Sequence, residues 1–384
     1  MHDSRYSEVS ITLDVMSSIT DRPIRVLCIC GLGDQAETQS FIEMRRQGID
    51  ITVMVRPGTL HHETLVKEGV PVIPYYLKWK LSPPCIRVIR AELKRKQYDV
   101  LHMLDKRATM NGLMASIGID IKLVAYRGIS GNITYWSPQS WLYLLNPRLD
   151  RIICVCDAVR RSLLELGMPG LRLRRDVPVT VYKGHNPELY DGPAEDLKPL
   201  GIPDGAFVIA CTLRAVPRKG VPILIEAINL LPPGLDIHVL MAGHNMDSPL
   251  HKKLVEKNAY AERIHLFGFL KRMPWILKNA DIAVLPSLKR EGLPRAMLES
   301  MLAGAVPIVT TSGGNPELVE KDISGFVVEP GDPVAIRDNI LALYNDRELL
   351  GRMSTAAKQR VLTKFTVEKT ARETIAVYED MLTS

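Results

Sequence analysis

The sequence predicts an α/β protein made of two Rossmann-like, doubly wound parallel-sheet domains that face each other across a cleft. Three observations predict it. Short, β-branched apolar runs alternate with helical segments, as expected of a parallel sheet covered by crossover helices. The alternation breaks over a Pro- and Gly-containing tract from about 184 to 205 and then restarts. The length, 384 residues, is enough for two units that each bury a core. The expected division is an N-terminal extension over 1–22, a first domain over 23–186, a second over 187–364 and a closing helix over 365–384.

Residues 1–22 show no period. The run Ile24–Ile29 reads as a buried strand closed by Gly31-Leu-Gly33. Helical spacing over 35–47 stops at Gly48, a residue suited to helix ends. Strands follow at Ile51–Val55 and Val70–Pro74. The segment 84–97 carries Ile86, Ile89 and Leu93 on one helical face and Arg87, Arg90 and Lys94 on another. Asp99–Leu104 and Ile121–Ala125 are strands with a helix near 108–117 between them. Arg151–Cys156 leads into a helix ending at Gly167, and Val177–Tyr182 is the last strand of this half. In the second half strands are expected at Phe207–Thr212, Ile237–Ala242, Ile264–Phe267, Asp281–Leu285, Val306–Thr310 and Phe326–Val328. Helices are expected near 221–231, 294–303, 333–345, 348–363 and 366–382.

Composition narrows the class. With 46% hydrophobic and 24% charged residues the chain is neither disordered nor fibrous. No apolar run reaches the length of a membrane span, about 18 residues. The first twenty residues hold Asp3, Glu8 and Asp14 without an apolar stretch, so a secretory signal is not expected. The six cysteines sit mostly in expected strands and lack zinc-like spacing, which reads as reduced thiols in a cytoplasmic protein. Charge is uneven: residues 1–190 hold 26 Lys+Arg against 19 Asp+Glu, and the rest hold 23 against 24. A basic first half fits an acidic partner as well as it fits a solvated surface. No DNA- or RNA-binding motif accompanies it, so nucleic acid is not an expected partner.

Two stretches of the second half carry chemistry. Between its first strand and first helix lies Thr212-Leu-Arg-Ala-Val-Pro-Arg-Lys-Gly220. Arg214 and Lys219 leave a strand's carboxyl end beside a helix N-terminus, an arrangement that binds phosphate. Further on, Arg290-Glu-Gly-Leu-Pro-Arg-Ala-Met-Leu-Glu299 follows a strand, and Pro294 is expected in the first helical turn. Glu299 then lies roughly 7 Å along the axis from the helix start. Glu291 and Glu299 together form a carboxylate pair that could take one hydroxyl-bearing ring each, because a carboxylate accepts from two adjacent hydroxyls. Alone, each acid also reads as a surface position. In Gly313-Gly-Asn-Pro-Glu317, Asn315 is expected as N-cap and Pro316 as first helical residue.

These residues resemble the retaining, nucleotide-sugar-dependent glycosyltransferases of family 4, which have the GT-B fold. Glu291 and Glu299 match that family's E-x7-E motif, and Arg214 and Lys219 its R-x4-K-G element. Val306–Thr310, Gly313–Glu317 and Ile323–Asp332 match the stretch that follows. The resemblance implies that Arg214 and Lys219 hold the donor diphosphate, Glu291 with Gly292 and Leu293 meets the donor sugar, and Glu299 meets the ribose. It implies that Gly31 and Gly33 let backbone approach the diphosphate from the first domain, and that the last helix crosses back onto that domain. It implies hexose transfer with retained anomeric configuration, in the assembly of a cell-surface polysaccharide, lipopolysaccharide or glycolipid. No two aspartates stand two apart, so no obligatory metal and no other cofactor is expected.

The chain departs from the family at Arg127, in Tyr126-Arg-Gly-Ile-Ser-Gly131, where many members place a histidine. Arg127 reads either as a catalytic charge stabiliser or as a structural residue packed on aromatics. His102, at another strand end, reads as a cleft residue or a core histidine. The expected partners are a nucleotide-sugar donor and a glycan or lipid-linked acceptor. The basic stripe of 84–97, with Tyr75, Tyr76, Trp79 and Lys80 before it, adds an expected peripheral contact with the inner face of an anionic membrane. Two other readings stay open: a different GT-B enzyme, such as a sugar-nucleotide epimerase or a phosphorylase, and a catalytically silent sugar-nucleotide-binding scaffold.

Overall fold

The computed structural model describes residues 22–168 and 171–383, so nearly all of the expected extension over 1–22 lies outside the described residues. The first domain runs β1 (Arg25–Ile29), α1 (Gln35–Arg46), β2 (Asp50–Val55), α2 (Leu60–Lys67), β3 (Val72–Pro74), α3 (Pro83–Arg95), β4 (Val100–Met103), α4 (Lys106–Ala115), β5 (Lys122–Arg127), α5 (Pro138–Trp141), β6 (Arg151–Cys154) and α6 (Asp157–Leu164). A two-stranded hairpin, β7 (Gly167–Met168) and β8 (Leu171–Arg172), and then β9 (Pro178–Thr180) complete it. The expected helix up to Gly167 stops at Leu164, because that glycine is taken into the hairpin. Helix α2, which no strong apolar period announces, buries only Leu65.

The second domain runs β10 (Phe207–Thr212), α7 (Val221–Asn229), β11 (Ile237–Ala242), α8 (Pro249–Val255), β12 (Ile264–Phe267), α9 (Met273–Ile276), β13 (Ile282–Leu285), α10 (Arg295–Ala303), β14 (Val306–Thr310), α11 (Asn315–Leu318), β15 (Phe326–Val328), α12 (Pro333–Asn345) and α13 (Arg347–Lys364). Helix α14 (Val367–Thr383) follows. The first sheet has the order β3-β2-β1-β4-β5-β6-β9 and the second β12-β11-β10-β13-β14-β15, with parallel neighbours throughout. Each sheet reverses its winding once, between β1 and β4 and between β10 and β13. Ligands of open α/β sheets bind outside the carboxyl ends of the strands at such reversals.

The chain passes between the domains twice. His185 N donates to Phe365 O at 2.9 Å, and His185 and Thr366 form a bridge. Gly184 is packed so closely there that a Cβ would lie 2.0 Å from Thr366 O. Helix α14 then lies on the first domain, where Ala371, Tyr378 and Met381 join Val26, Cys28, Phe41 and Met44 in one core cluster. Arg151 pairs with Asp380 at 2.6 Å at the helix's far end. The expected return of the last helix is therefore observed.

His102 belongs to this same layer. It is buried on β4, its Nδ1 lies 2.7 Å from the Tyr378 hydroxyl, and it faces Phe41, Met44 and Thr374. The cleft reading of His102 is thus corrected to the core reading. The interior strand position between β1 and β5 turns its ring toward α1 and α14.

Candidate active site

The reversal of the second sheet gathers the expected donor residues. Glu291 is buried, and its Oε1 accepts from Lys219 Nζ at 2.7 Å and from the Ser287 hydroxyl at 2.5 Å. Arg218 stands 3.8 Å from the same oxygen and donates to Arg290 O. The loop is held from three sides by close backbone contacts. A Cβ on Gly220 would lie 2.0 Å from Pro286 O, one on Gly313 2.2 Å from Glu291 O, and one on Gly292 2.1 Å from Gly128 O of the first domain. Arg290 adopts a left-handed backbone, φ 63°, which a non-glycine residue holds at a cost of about 1–3 kcal/mol. Such strain persists where surrounding contacts over-determine the loop.

Arg214 is exposed at the mouth of the same loop. Behind Glu291, Thr310 donates to Ser287 O at 2.6 Å and Asn315 Nδ2 lies 3.3 Å from Thr310 Oγ1. Asn315 therefore does not cap α11. Gly314 takes the cap position, and the asparagine side chain is buried in support of the Ser287 turn. Ser312 Oγ and Asn315 Oδ1 are buried without a partner among the described residues. Pro294 stands at the N-cap of α10 rather than inside its first turn, so the helix opens at Arg295.

Glu299 is not a surface residue: it is 8% exposed. Its Oε1 lies 3.1 Å from Arg295 Nε and 3.3 Å from the Tyr190 hydroxyl. Burial raises its pKa, with Arg295 and Tyr190 pulling the other way. It lines a cavity of about 240 Å³ with Tyr190 and Lys358.

Across the cleft, Leu293 packs against the cores of both domains. With Arg295 it closes a cavity of about 270 Å³ whose far wall is Asp34, Tyr126, Gly128 and Lys183. Lys183 Nζ donates to Asp34 Oδ2 at 2.5 Å and to Glu37 Oε1 at 2.9 Å. Burial pushes the Asp34 carboxyl up, but the Lys183 charge and hydrogen bond hold it below the usual range. Burial dominates for Glu37, which is raised. The Asp34-Gln-Ala-Glu37 spacing of a capping box was the available signal for this group. Nothing local marked Lys183 as its partner.

Gly31 and Gly33 lie at the reversal of the first sheet. The Gly31 N–H donates to Asp105 Oδ2 at 2.7 Å, so this amide is already engaged. Arg127 ends β5, is buried, and donates to Gly131 O, with its charge near the Tyr143 phenol. Those contacts fold the loop after β5 back on the sheet and account for the arginine structurally.

The domains also meet at Glu317 on α11. Its two oxygens accept from the Asp157 and Ala158 N–H groups, at 2.8 and 2.7 Å, and the Tyr182 hydroxyl donates to it at 2.8 Å. A carboxylate of the second domain thus caps α6 of the first, where the helix dipole favours negative charge.

Comparisons with known proteins agree with this geometry. Residues 194–360 match the family described as Glycosyl transferases group 1, and residues 42–175 match Glycosyltransferase Family 4. The UDP-Gal:alpha-D-GlcNAc-diphosphoundecaprenol alpha-1,3-galactosyltransferase of Escherichia coli is 25% identical over 304 residues, covering 76% of this chain and 77% of that protein. An uncharacterized glycosyltransferase of Methanocaldococcus jannaschii is 30% identical over 238 residues, 60% of each chain. HepE of Anabaena, solved with UDP and glucose, superposes with a TM-score of 0.76 at 20% identity, covering 93% of this chain and all of that one. The chain belongs to the family 4 glycosyltransferases and has their two-domain GT-B fold.

Proposed function

We propose that this glycosyltransferase moves a hexose from a nucleoside-diphosphate sugar to a lipid-linked glycan acceptor, with retention of anomeric configuration, in cell-surface polysaccharide or lipopolysaccharide-type assembly. The observation that carries the donor side is the buried Glu291–Lys219–Ser287 group at the sheet reversal, with Arg214 exposed beside it. Breaking the bond from the anomeric carbon to the phosphate oxygen puts negative charge on the diphosphate. Lys219, held by Glu291 before the reaction, and the exposed Arg214 beside it stabilise that charge. The acceptor hydroxyl oxygen bonds the anomeric carbon on the same face, and its proton passes to the departing phosphate oxygen. Glu291 accepts from the sugar hydroxyls and Glu299 from the ribose.

With the leaving charge met by side-chain cations, turnover needs no metal and survives a chelator. The donor and acceptor named for the E. coli relative, UDP-Gal and a diphosphoundecaprenol-linked sugar, and the UDP-bound HepE support a uridine donor and a lipid-linked acceptor. Among the described residues no helix is long and apolar enough to cross a membrane. The first domain reaches an anionic membrane on the cytoplasmic side by surface contact. Its reach comes less from α3 than from neighbouring loops, because Arg90 of α3 is spent on Ala115 O and Ile117 O and Arg95 on Glu92.

The test is release of nucleoside diphosphate from a panel of UDP-, GDP- and ADP-hexoses. Glu291→Gln keeps the shape of the loop and is expected to lower turnover by about 10²-fold or more, the scale of losing one fixed transition-state contact. Wild-type rates in that variant, or no release from any donor, sink the proposal.

A further inference from the structure

A third cavity opens at the reversal of the first sheet, beside Gly31, whose N–H is already taken by Asp105. It measures about 350 Å³ and lies between the turn after β1 and the start of α4, lined by Gly31, Leu32, Gly33, Tyr76, Lys106 and Arg107 among others. Asp34 and Glu37 line both this cavity and the one closed by Leu293 and Arg295, so the two adjoin.

Its charges are unevenly matched. The acids that line it are committed: Asp34 and Glu37 to Lys183, and Asp105 to the N–H groups of Gly31, Arg107 and Ala108. The cations are not. Of the cations that line it, neither Lys106 nor Arg107 has a carboxylate partner among the described residues. Lys106 reaches only Gln139 Oε1, at 2.7 Å, and the face of Tyr143. Arg107 Nη1 donates to Leu77 O and lies 3.5 Å from Lys78 O, while its Nε and Nη2 have no hydrogen-bond partner among the described residues. Burial, then repulsion from Lys80 and Arg127, lowers the Lys106 pKa. The lining carries two exposed apolar residues, Leu32, 55% exposed, and Tyr76, 45% exposed.

Resting on the acceptor reading proposed above, we infer that this cavity holds the acceptor's phosphate, a phosphate or diphosphate ester carried on a lipid. Lys106 and Arg107 bind the ester and Lys80 adds to the field. The chain leaves across Leu32 and Tyr76, and the sugar points along Asp34 toward Leu293 and Arg295. Arginine forks and lysine point charges are the usual partners of phosphate oxygens, and a cavity of this size suits such a headgroup. The exposed apolar pair separates a lipid ester from a soluble one, since only the former buries it.

Binding can be measured without activity, by calorimetry with farnesyl diphosphate, inorganic pyrophosphate and farnesol. The Arg214→Ala protein serves as parent, to weaken diphosphate binding at the donor loop. Farnesyl diphosphate is expected to bind about tenfold or more tighter than pyrophosphate, and Lys106→Ala and Arg107→Ala, with unchanged melting temperatures, are each expected to weaken it by about tenfold, the effect of one charged contact. Undiminished binding in both variants, or farnesol binding as tightly as its diphosphate, overturns the site. Equal affinity for pyrophosphate and farnesyl diphosphate overturns the lipid. Farnesyl diphosphate binding of this kind, with no nucleotide release from any donor by the wild-type protein, would overturn the glycosyl-transfer reading and leave this site standing.

Discussion

Glu291 and His102 show opposite uses of a buried polar residue. Glu291 is buried beside a cation and a hydroxyl, so it remains an acceptor aimed at the cleft. His102 is buried away from charge, and desolvation drives its pKa to about 3, as it does for His185. The ordinary value is 6.5, so below that pH the unfolded chain takes up protons that the native chain refuses. The stability these histidines contribute is present above pH 6.5 and is lost as pH falls toward 3. Each contributes a slope of about 1.4 kcal/mol per pH unit in that window. His102→Asn is therefore expected to flatten the melting temperature against pH between 6.5 and 4, and an unchanged acid limb would refute it. Both acids of the motif were legible from their spacing, because that spacing reflects a strand, a loop and one helical turn. The partners were not. Ser287 and Tyr190 reach Glu291 and Glu299 through the fold, and a serine or tyrosine carries no local mark of such a role.

At the scale of the element, α14 and α3 repay comparison. The apolar spacing of both was readable, but only the structure shows what their polar groups meet. Arg90 read as part of the basic stripe and instead bonds two carbonyls at the end of α4, Ala115 O and Ile117 O. Tyr378 of α14 is fully buried, with its hydroxyl on His102 Nδ1. His102 Nε2 is already buried without a partner among the described residues. Tyr378→Phe would strand the second nitrogen too, at a cost of about 1–3 kcal/mol. Denaturant titration is expected to show a lower midpoint with an unchanged slope. Loss of the second domain's cooperative transition instead would mean that α14 supports the wrong partner. The buried group around Lys183 was hidden for a similar reason: residues 34, 37 and 183 are joined by sheet topology rather than by sequence.

Across the whole molecule, two sheets were legible because parallel strands buried on both faces read as apolar runs. The seam was not, since it rests on glycines and one carboxylate beside Leu293. Gly292 meets Gly128, a Cβ on Gly314 would lie 2.5 Å from Cys156 Sγ, and Glu317 caps α6. Hydrogen bonds to charged groups contribute about 1.5–3 kcal/mol, so Glu317 alone weights the closed arrangement substantially. Glu317→Ala is expected to enlarge the radius of gyration in small-angle scattering and to raise the donor KM several-fold. Identical scattering and an unchanged KM would show that closure does not depend on this contact.

The return of α14 to the first domain also sets an order of events during synthesis. The strands and helices over 25–180 leave the ribosome long before residues 371–381, and the entire second domain is made in between. Until then the face formed by Val26, Cys28, Phe41 and Met44 has no cover. The first domain must wait, partly assembled and with that apolar face open to chaperones or to other nascent chains, until its last layer arrives. The half of the enzyme translated first is thus the half that finishes folding last.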